Sequence, residues 1–275
     1  MVDRLAVLLE RYPVGAEVFH AGALCGIHSL EGEGDRGQLH LVRRGPLEVF
    51  HGQDVVHVVE PSLLLYPRPL AHRFVTDPER GADLACANLR FDGGQAHPLR
   101  AALPDFVAMP LDRLGGAEPV LALLFEEAFA ERCGRHALVN RLFEVVLIQL
   151  LRQLMESGRM PAGLLAGLGH PRLRHALAAV HAAPAEPWTL ERMAAAARMS
   201  RSVFAAAFRE SMGRTPAQYL TEWRIGLAQQ AMRRGAPLKT IPAEIGYGSE
   251  AAFSRAFKAQ TGLAPRAWRR AATAA

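Results

Sequence analysis

Three cysteines are the side chains of this sequence best suited to covalent chemistry. Cys25, Cys86 and Cys133 are far apart in the chain, and no CxxC pair or Cys/His spacing marks a structural zinc site. A cysteine reacts as the thiolate, which needs a nearby cation or helix N-terminus and some exposure. Arg90 follows Cys86 by four residues and would share its strand face if no bulge intervenes. Cys25 and Cys86 are therefore either oxidant-reactive groups or inert core thiols.

Basic side chains that could bind phosphate are concentrated at the C-terminal end. Residues 166–275 contain 16 Lys and Arg against 6 Asp and Glu, whereas the whole chain contains 32 against 27. The preceding residues are therefore acidic overall. A basic segment suits a nucleic-acid backbone, although a generic solvated helical surface is the alternative. The charge alone does not decide between these two alternatives.

One sequence pattern occurs twice in this basic segment, at an offset of 49 residues. The first copy consists of Ser200, Phe204, Ala207, Phe208, Gly213, Pro216 and Tyr219, and the second of Ser249, Phe253, Ala256, Phe257, Gly262, Pro265 and Trp268. In each copy a serine precedes apolar residues at i, i+3 and i+4 and a glycine follows, which predicts a capped amphipathic helix. A shorter helical segment precedes each copy, at 190–197 and at about 241–245. The pattern thus predicts two helix-turn-helix modules.

Capping residues predict the helices that lie beside these modules. Thr215-Pro216-Ala217-Gln218 has the residues of a capping box with proline at the first helical position, which predicts a long helix to Arg234 that stops at Gly235. This helix would hold the modules at a fixed spacing, so that reading heads about 34 Å apart could enter successive major-groove segments. Another helix is predicted at 172–182.

The N-terminal part has a sequence pattern typical of a β domain. Short apolar or alternating runs lie at 23–28, 38–43, 47–50, 55–59, 63–66, 72–75 and 84–91, with Gly and Pro between them. This pattern predicts an antiparallel sandwich or small barrel, which could hold a small ligand. Residues 98–114 are predicted to be a Pro-interrupted connector.

Two long helical patterns follow, at 118–133 and 136–157. Residues 142–155 are apolar on more than one face, which favours one face packed on the same chain and another on a second subunit. An entirely intramolecular bundle is the alternative. Residues 157–169 are rich in glycine and predict a linker. The chain is therefore predicted to be an α+β multidomain protein: an antiparallel β-barrel sensor at 1–115, a helical dimerisation segment and linker at 116–165, and an all-α tandem helix-turn-helix at 166–275.

The second copy, from Gly246 to Lys258 with Gly262 and Pro265, resembles the AraC/XylS family of bacterial transcription factors. The resemblance covers about 171–268 and implies that the recognition helices start after Ser200 and Ser249. The implied DNA-binding residues are Arg201, Ser202, Ala205, Ala206, Arg209, Ser249, Glu250, Ala251, Ser254, Arg255 and Lys258. Small Ala205 and Ala206 depart from the family and favour thymine-methyl contact and shape fit. Pro242 also departs, and is tolerable only in a first helical turn.

The N-terminal part is similar to the cupin sensor domain of many family members, most clearly at 38–43 and 67–74. Enzymatic cupins hold a metal with closely spaced histidines, a carboxylate and a later histidine. Here His40 has Val42 where a second ligand would stand, and Glu48 and His72 are the other candidate ligands. Because this set is incomplete, we expect no metal and no cofactor. A metal-dependent cupin enzyme with an accessory DNA-binding tail is the alternative function.

The surroundings of Cys25 and Cys86 are similar to cysteine-bearing positions in a subgroup of these regulators that respond to reactive chlorine or other electrophiles. Cys133 is expected to be structural. These resemblances imply a non-enzymatic, homodimeric regulator that binds promoter DNA under control of a small molecule or oxidant and that could contact RNA polymerase. An architectural DNA binder without a ligand is a third alternative. Charged residues such as Asp3, Arg4 and Glu10 interrupt the N-terminal apolar residues, so we expect no signal peptide, no membrane partner and a cytoplasmic location.

Overall fold

The computed structural model describes residues 3–32 and 34–274, which fold as two compact units. One unit runs from Tyr12 to Ser157, and the other combines the residues from Gly158 onward with the N-terminal segment up to Arg11. The helices predicted at 118–157 thus fold with the strands. Within the described residues, no helix has the length and apolar character needed to span a membrane.

The β unit contains nine strands in the ranges described. They are β1 (Val14–Leu24), β2 (Ile27–Leu30), β3 (Gly37–Arg44), β4 (Leu47–His51), β5 (Asp54–Val58), β6 (Ser62–Tyr66), β7 (His72–Thr76), β8 (Ala82–Phe91) and β9 (Val107–Pro110). One sheet has the order β1-β8-β3-β6-β9 and the other β2-β7-β4-β5, with antiparallel pairing throughout. The predicted antiparallel β fold is confirmed. Neither β9 nor most of β1 was predicted, because β9 is a short edge strand that Pro110 ends and β1 is rich in small and polar residues.

The core of the β unit lies between the two sheets. Its members, all at most 4% exposed, are Val42, Leu47, Val49, Val58, Leu64, Tyr66, Phe74, Ala82, Leu84 and Cys86. They alternate along their strands, as Ala82, Leu84 and Cys86 do on β8, because successive strand residues point to opposite faces. Burial of these apolar side chains stabilises the packing of the two sheets.

The predicted closure into a barrel is wrong, since the two sheets stay separate. Strand β1 ends the five-stranded sheet, and helix α4 (Arg135–Glu156) covers its free edge. Asn140 Oδ1 accepts a hydrogen bond from Val18 N at 2.8 Å, and Glu144 Oε1 accepts one from Ala16 N at 3.3 Å. These side chains satisfy edge groups that closure would otherwise have paired. The remaining helices of this unit are α2 (Pro98–Ala102) and α3 (Glu118–Phe129).

The second unit is entirely helical in the ranges described. Its helices are α1 (Ala6–Arg11), α5 (Leu164–Gly169), α6 (Leu173–Ala182), α7 (Leu190–Ala196), α8 (Arg201–Met212), α9 (Pro216–Arg233), α10 (Ile241–Glu244), α11 (Glu250–Thr261) and α12 (Pro265–Ala274). The helices predicted for both helix-turn-helix modules are confirmed. Pro242 stands in the first turn of α10, where its missing N–H costs no hydrogen bond.

The glycine-rich stretch predicted as a linker contains helix α5 instead. Leu164, Leu165 and Leu168 are buried. A Cβ on Gly167 would lie 2.2 Å from Met212 Sδ and 2.9 Å from Leu177 Cδ1. Gly167 therefore permits close packing of helices, a role that composition does not distinguish from flexibility.

Candidate functional site

The recognition helices α8 and α11 are attached to the helical unit in the same way. Phe204 and Phe208 are buried on α8 with ring centroids 5.4 Å apart, and Phe253 and Phe257 are buried on α11 at 5.5 Å. Each pair stands one helical turn apart and fixes the inward face of its helix. The opposite face of each helix is left for solvent or a ligand.

A second aromatic contact is also repeated. The Phe208 ring lies 5.7 Å from that of Tyr219, and the Phe257 ring lies 5.9 Å from that of Trp268. These pairs are separated by the 49-residue offset of the sequence pattern. The sequence duplication is therefore a duplication of packing, and the two helix-turn-helix modules are structural equivalents.

Helix α9 connects the two modules. Its N-terminus has the predicted capping box, in which Thr215 and Gln218 exchange side-chain and backbone hydrogen bonds. It ends at Arg233, and Gly235 has φ +83°, as expected for a helix stop. Its 18 residues span about 27 Å. The guanidinium of Arg233 lies 5.1 Å from the Trp268 ring, which ties the end of α9 to the second module.

Arg224, in the middle of α9, also joins the modules. It donates hydrogen bonds from Nε to Pro184 O and from Nη2 to Glu186 O, both at 2.9 Å, in the loop before α7. The same guanidinium lies 5.8 Å from the ring of Tyr247, in the turn of the second module. Burial lowers the pKa of Arg224 from its ordinary value. One side chain thus positions a segment of each module.

Each turn that leads into a recognition helix contains one residue in the left-handed conformation. This residue is Arg198 in the first module, with φ +53°, and Gly246 in the second, with φ +87°. Ser249 caps α11 by accepting a hydrogen bond from Ala252 N at 3.2 Å, as predicted. The Ser200 side chain makes no such bond, so the predicted side-chain cap of α8 is wrong.

The residues predicted to contact DNA lie on the outward side of α8 and α11. Ala205 is half-buried, and the others are exposed: Arg201, Ser202, Ala206, Arg209, Ser249, Glu250, Ala251, Ser254, Arg255 and Lys258. Arg201 Nη1 forms an ion pair with Glu191 Oε1 of α7 at 3.0 Å. Val203, which was not predicted, is 52% exposed on the same stretch of α8. Val203 could have been predicted as a DNA contact because it is an aliphatic residue on α8 that lies off the buried face of Phe204 and Phe208.

The cysteines lie in three different environments. Cys25 is exposed just after β1, and Cys133 is exposed between α3 and α4, so the expectation of a structural Cys133 is wrong. Cys86 is buried between the sheets, and burial raises the pKa of its thiol. Burial in apolar surroundings disfavours the thiolate, which is the reactive form of Cys86.

The strand register separates Cys25 from Cys86. Leu24 pairs with Ala82, so Cys25 lies about five residues along β8 from Cys86, or about 16 Å. A disulfide needs Cα atoms within about 7 Å, so these thiols cannot form one directly in this conformation. Strand β8 has no bulge between Cys86 and Arg90, which therefore share a face but are about 13 Å apart. Arg90 is too distant to stabilise a thiolate at Cys86.

Of the three candidate metal ligands, His40 and His72 are in contact with each other, whereas Glu48 is not in contact with either. His72 Nδ1–H donates to Leu70 O at 2.8 Å, so its Nε2 is left to accept from His40 Nε2–H at 3.1 Å. Burial is the main cause that lowers the pKa of both imidazoles. Glu48 is instead half-exposed and lies 3.2 Å from His57 Nδ1. No trio of His, Cys, Asp or Glu within the described ranges could hold a metal, so the candidates His40, Glu48 and His72 do not form a site together.

Comparisons with known proteins agree with this architecture. The Cupin family model matches residues 3–156, and a Helix-turn-helix domain model matches residues 193–271. A putative AraC-like transcription regulator of Streptomyces lividans is 34% identical over 263 residues, which cover 85% of this chain and 86% of the relative. A second such regulator, of Streptomyces antibioticus, is 45% identical over 130 residues, or 46% of this chain and 42% of the relative.

A more distant relative is the RCS-specific transcriptional activator RclR of Escherichia coli. It is 25% identical over 235 residues, which cover 84% of this chain and 83% of RclR. These relatives are transcription regulators and not enzymes. The full-length match and the two family models therefore show that the chain belongs to the AraC family of transcriptional regulators, with an N-terminal cupin domain and a C-terminal helix-turn-helix domain.

Proposed function

We propose that the exposed faces of α8 and α11 read promoter DNA in two neighbouring major-groove segments. The observation that carries this proposal is the repeated packing, which buries equivalent phenylalanines and leaves equivalent faces exposed. The excess of basic residues in 166–275 supports contact with the phosphate backbone. The proposed contacts are those of the eleven predicted residues together with Val203.

The two modules would read DNA by different means. On α8, Val203, Ala205 and Ala206 offer methyl groups, which suit the thymine methyl and the shape of the groove. On α11, Ser254 and Arg255 offer hydrogen-bond donors, and Arg suits the two acceptors of guanine. We therefore expect an operator in which a thymine-containing half-site accompanies a guanine-containing one.

The cupin domain is proposed to receive the signal, which is a small molecule or an oxidant. Of the two predicted cysteines, Cys25 is the better oxidant target, because it is exposed whereas Cys86 is buried with a raised pKa. The similarity to RclR, whose name specifies RCS, supports an oxidant. Cys25 would then act through a sulfenic acid or a mixed disulfide and not through a bond to Cys86.

The helical segment at 116–165 is proposed to form the interface of a homodimer. Leu138 and Val145 are 40% and 38% exposed and lie two turns apart on α4. Their exposure supports a second subunit over a wholly intramolecular bundle. A dimer would double the number of DNA contacts. We also propose that the DNA-bound protein can contact RNA polymerase.

Genome-wide mapping of binding sites, with and without hypochlorite, tests this function. We expect binding at a limited set of promoters, and a change with oxidant that Cys25→Ser abolishes and Cys86→Ser preserves. Uniform binding along the genome would instead indicate an architectural protein. An unchanged response in Cys25→Ser would reject Cys25 as the sensor, whereas the absence of any response to hypochlorite in the unaltered chain would leave a small molecule as the signal.

A further inference from the structure

A cleft with excess hydrogen-bond donors lies in the β unit between helix α4 and the paired strands β1 and β8. Its volume is about 460 Å³. Gly15, Ala16 and Ala137 line part of it and carry no side chain beyond Cβ, which gives the cleft its depth. None of the residues that line it belongs to the predicted DNA-binding, cysteine or histidine sites.

The two asparagines of the cleft use their oxygen atoms within the protein. Asn140 Oδ1 accepts from Val18 N at 2.8 Å, and Asn88 Oδ1 accepts from Gln38 Nε2 at 3.2 Å. These contacts fix the orientation of each amide and leave its Nδ2–H2 group as a donor. The asparagines therefore contribute donors to a ligand in the cleft.

The two carboxylates of the cleft are already neutralised. Glu144 accepts two hydrogen bonds from Arg141 Nη1, at 3.0 and 2.9 Å, and one from Ala16 N. Glu17 forms an ion pair with Arg36 at 3.3 Å. Each carboxylate is therefore balanced by an arginine of the cleft, Glu144 by Arg141 and Glu17 by Arg36.

Arg90 supplies the one positive charge of the cleft that is not compensated. It is exposed and has no ion pair or hydrogen bond with any residue in the ranges 3–32 and 34–274. Gly15 stands opposite Arg90 in the strand register. A Cβ at position 15 would lie 3.7 Å from Arg90 Nη2 and 4.0 Å from Glu144 Oε1. The missing side chain therefore leaves the space beside the guanidinium open.

We propose that this cleft binds a small organic monocarboxylate, with the carboxylate on Arg90 and the Nδ2 groups of Asn88 and Asn140, and the apolar body over Gly15 and Ala137. A single uncompensated cation matches one negative charge. A doubly charged phosphate fits less well, because one of its two negative charges would have no cation to pair with. The inference does not depend on whether the ligand regulates DNA binding.

Isothermal titration of the full chain with cyclohexanecarboxylate tests the proposal. We expect saturable binding with a Kd of about 1 mM or below, and binding of the uncharged cyclohexanecarboxamide at least about tenfold weaker. Arg90→Gln should weaken carboxylate binding at least about tenfold, because a charge-assisted hydrogen bond is lost. Gly15→Val should weaken it independently by filling the cleft, and a valine is well tolerated in a strand.

Arg44→Gln is the matched control, since Arg44 is an exposed arginine of the same sheet that pairs with Asp83 outside the cleft. It should bind the carboxylate as the unaltered chain does. Several results would overturn the proposal: no saturable binding, equal binding of the amide, or full affinity in both Arg90→Gln and Gly15→Val. Binding of inorganic phosphate without binding of the carboxylate would reject the ligand class.

Discussion

At the scale of single residues, the two recognition helices carry different chemistry on equivalent positions. Ala206 of α8 corresponds to Arg255 of α11, and Arg201 corresponds to Glu250. Arg201 is paired with Glu191 in an exposed ion pair, which is weak and easily exchanged for a phosphate. Arg255 has no ion pair within the described ranges and is free to reach a base.

Arg255→Ala is expected to weaken operator binding by about 1–3 kcal/mol and to relax specificity at one base pair, because a bidentate contact to guanine is lost. Fluorescence titration against operator and scrambled duplexes measures the effect. Lys258→Ala is the control, since loss of a phosphate contact weakens binding to both duplexes equally. If Arg255→Ala also weakened both equally, base recognition by Arg255 would be rejected.

The buried histidines of the β unit are expected to make it acid-sensitive. Burial lowers the pKa of His40 and His72, and lowers that of His97 to about 4. Each imidazole is neutral in the folded state. Its contribution to the free energy of unfolding is therefore fully present above the unfolded pKa of about 6.5 and is lost as the pH falls toward the lower, folded pKa. For His97, the free energy of unfolding is expected to fall by about 2 kcal/mol between pH 7 and pH 5.

Hydrogen exchange of β3 and β8 amides, corrected for intrinsic rates, measures this dependence as an opening free energy. His72→Phe keeps a ring stacked near Tyr66, whose centroid lies 4.0 Å from that of His72. This variant should have a shallower pH dependence than the unaltered chain. Equal opening free energies at pH 7 and pH 5 would contradict the prediction.

At the scale of elements, helix α9 and the turns around it hold the two modules together. Gly246 lies where Arg224 reaches the second module, and a Cβ at this position would lie 2.7 Å from Ala185 O and 2.8 Å from Ala185 Cα. Its φ of +87° is also unfavourable for any other residue. Both the conformation and the close backbone contact require glycine.

Gly246→Ala is expected to lower the free energy of unfolding of the helical unit by at least about 3 kcal/mol, through left-handed strain and backbone contact together. Gly235→Ala is the matched control, since Gly235 has φ +83° and no atom within 4 Å of its added Cβ. It should cost only about 1–2 kcal/mol. Urea unfolding followed by tryptophan fluorescence reports this unit selectively, because Trp188, Trp223 and Trp268 all belong to it. Equal losses in the two variants would show that the Ala185 contact relaxes freely.

At the scale of the whole molecule, the basic helical unit and the acidic remainder divide the work of the chain. The basic unit would account for a steep decrease of DNA affinity with salt, because bound phosphates release counterions. Signal reception and self-association are the roles proposed above for the β unit and its helices. The exposed apolar residues Leu138 and Val145 of α4 lie in the segment proposed to contact a second subunit.

Val145→Arg is expected to convert a dimer into a monomer, because it places an unpaired charge in an apolar interface. Sedimentation velocity of the full chain at micromolar concentration is the measurement. Val59→Arg is the control, since Val59 is 78% exposed just after β5, outside the segment 116–165. It should remain dimeric. A monomeric unaltered chain, or a dimeric Val145→Arg, would count against an interface on α4.

The helical modules could be predicted from the sequence because they depend on short-range spacing. Within a dozen residues, the positions of serine, glycine and phenylalanine determine where α8 and α11 begin and end and which face they bury. The 49-residue repeat means that the sequence contains this pattern twice. The capping box at Thr215 predicted α9 for the same reason. The assignment to a DNA-binding family followed from these local patterns.

The tertiary structure alone decided which distant residues meet. Strand register separates Cys25 from Cys86 and brings His40 to His72, and register depends on pairing between strands far apart in sequence. Helix α5 was missed because Gly167 permits close packing, which has the same sequence signature as flexibility. The separation of the two sheets depends on α4, whose Asn140 and Glu144 bind the edge of β1 more than a hundred residues away. Such contacts have no local pattern, because the residues become neighbours only when the chain folds.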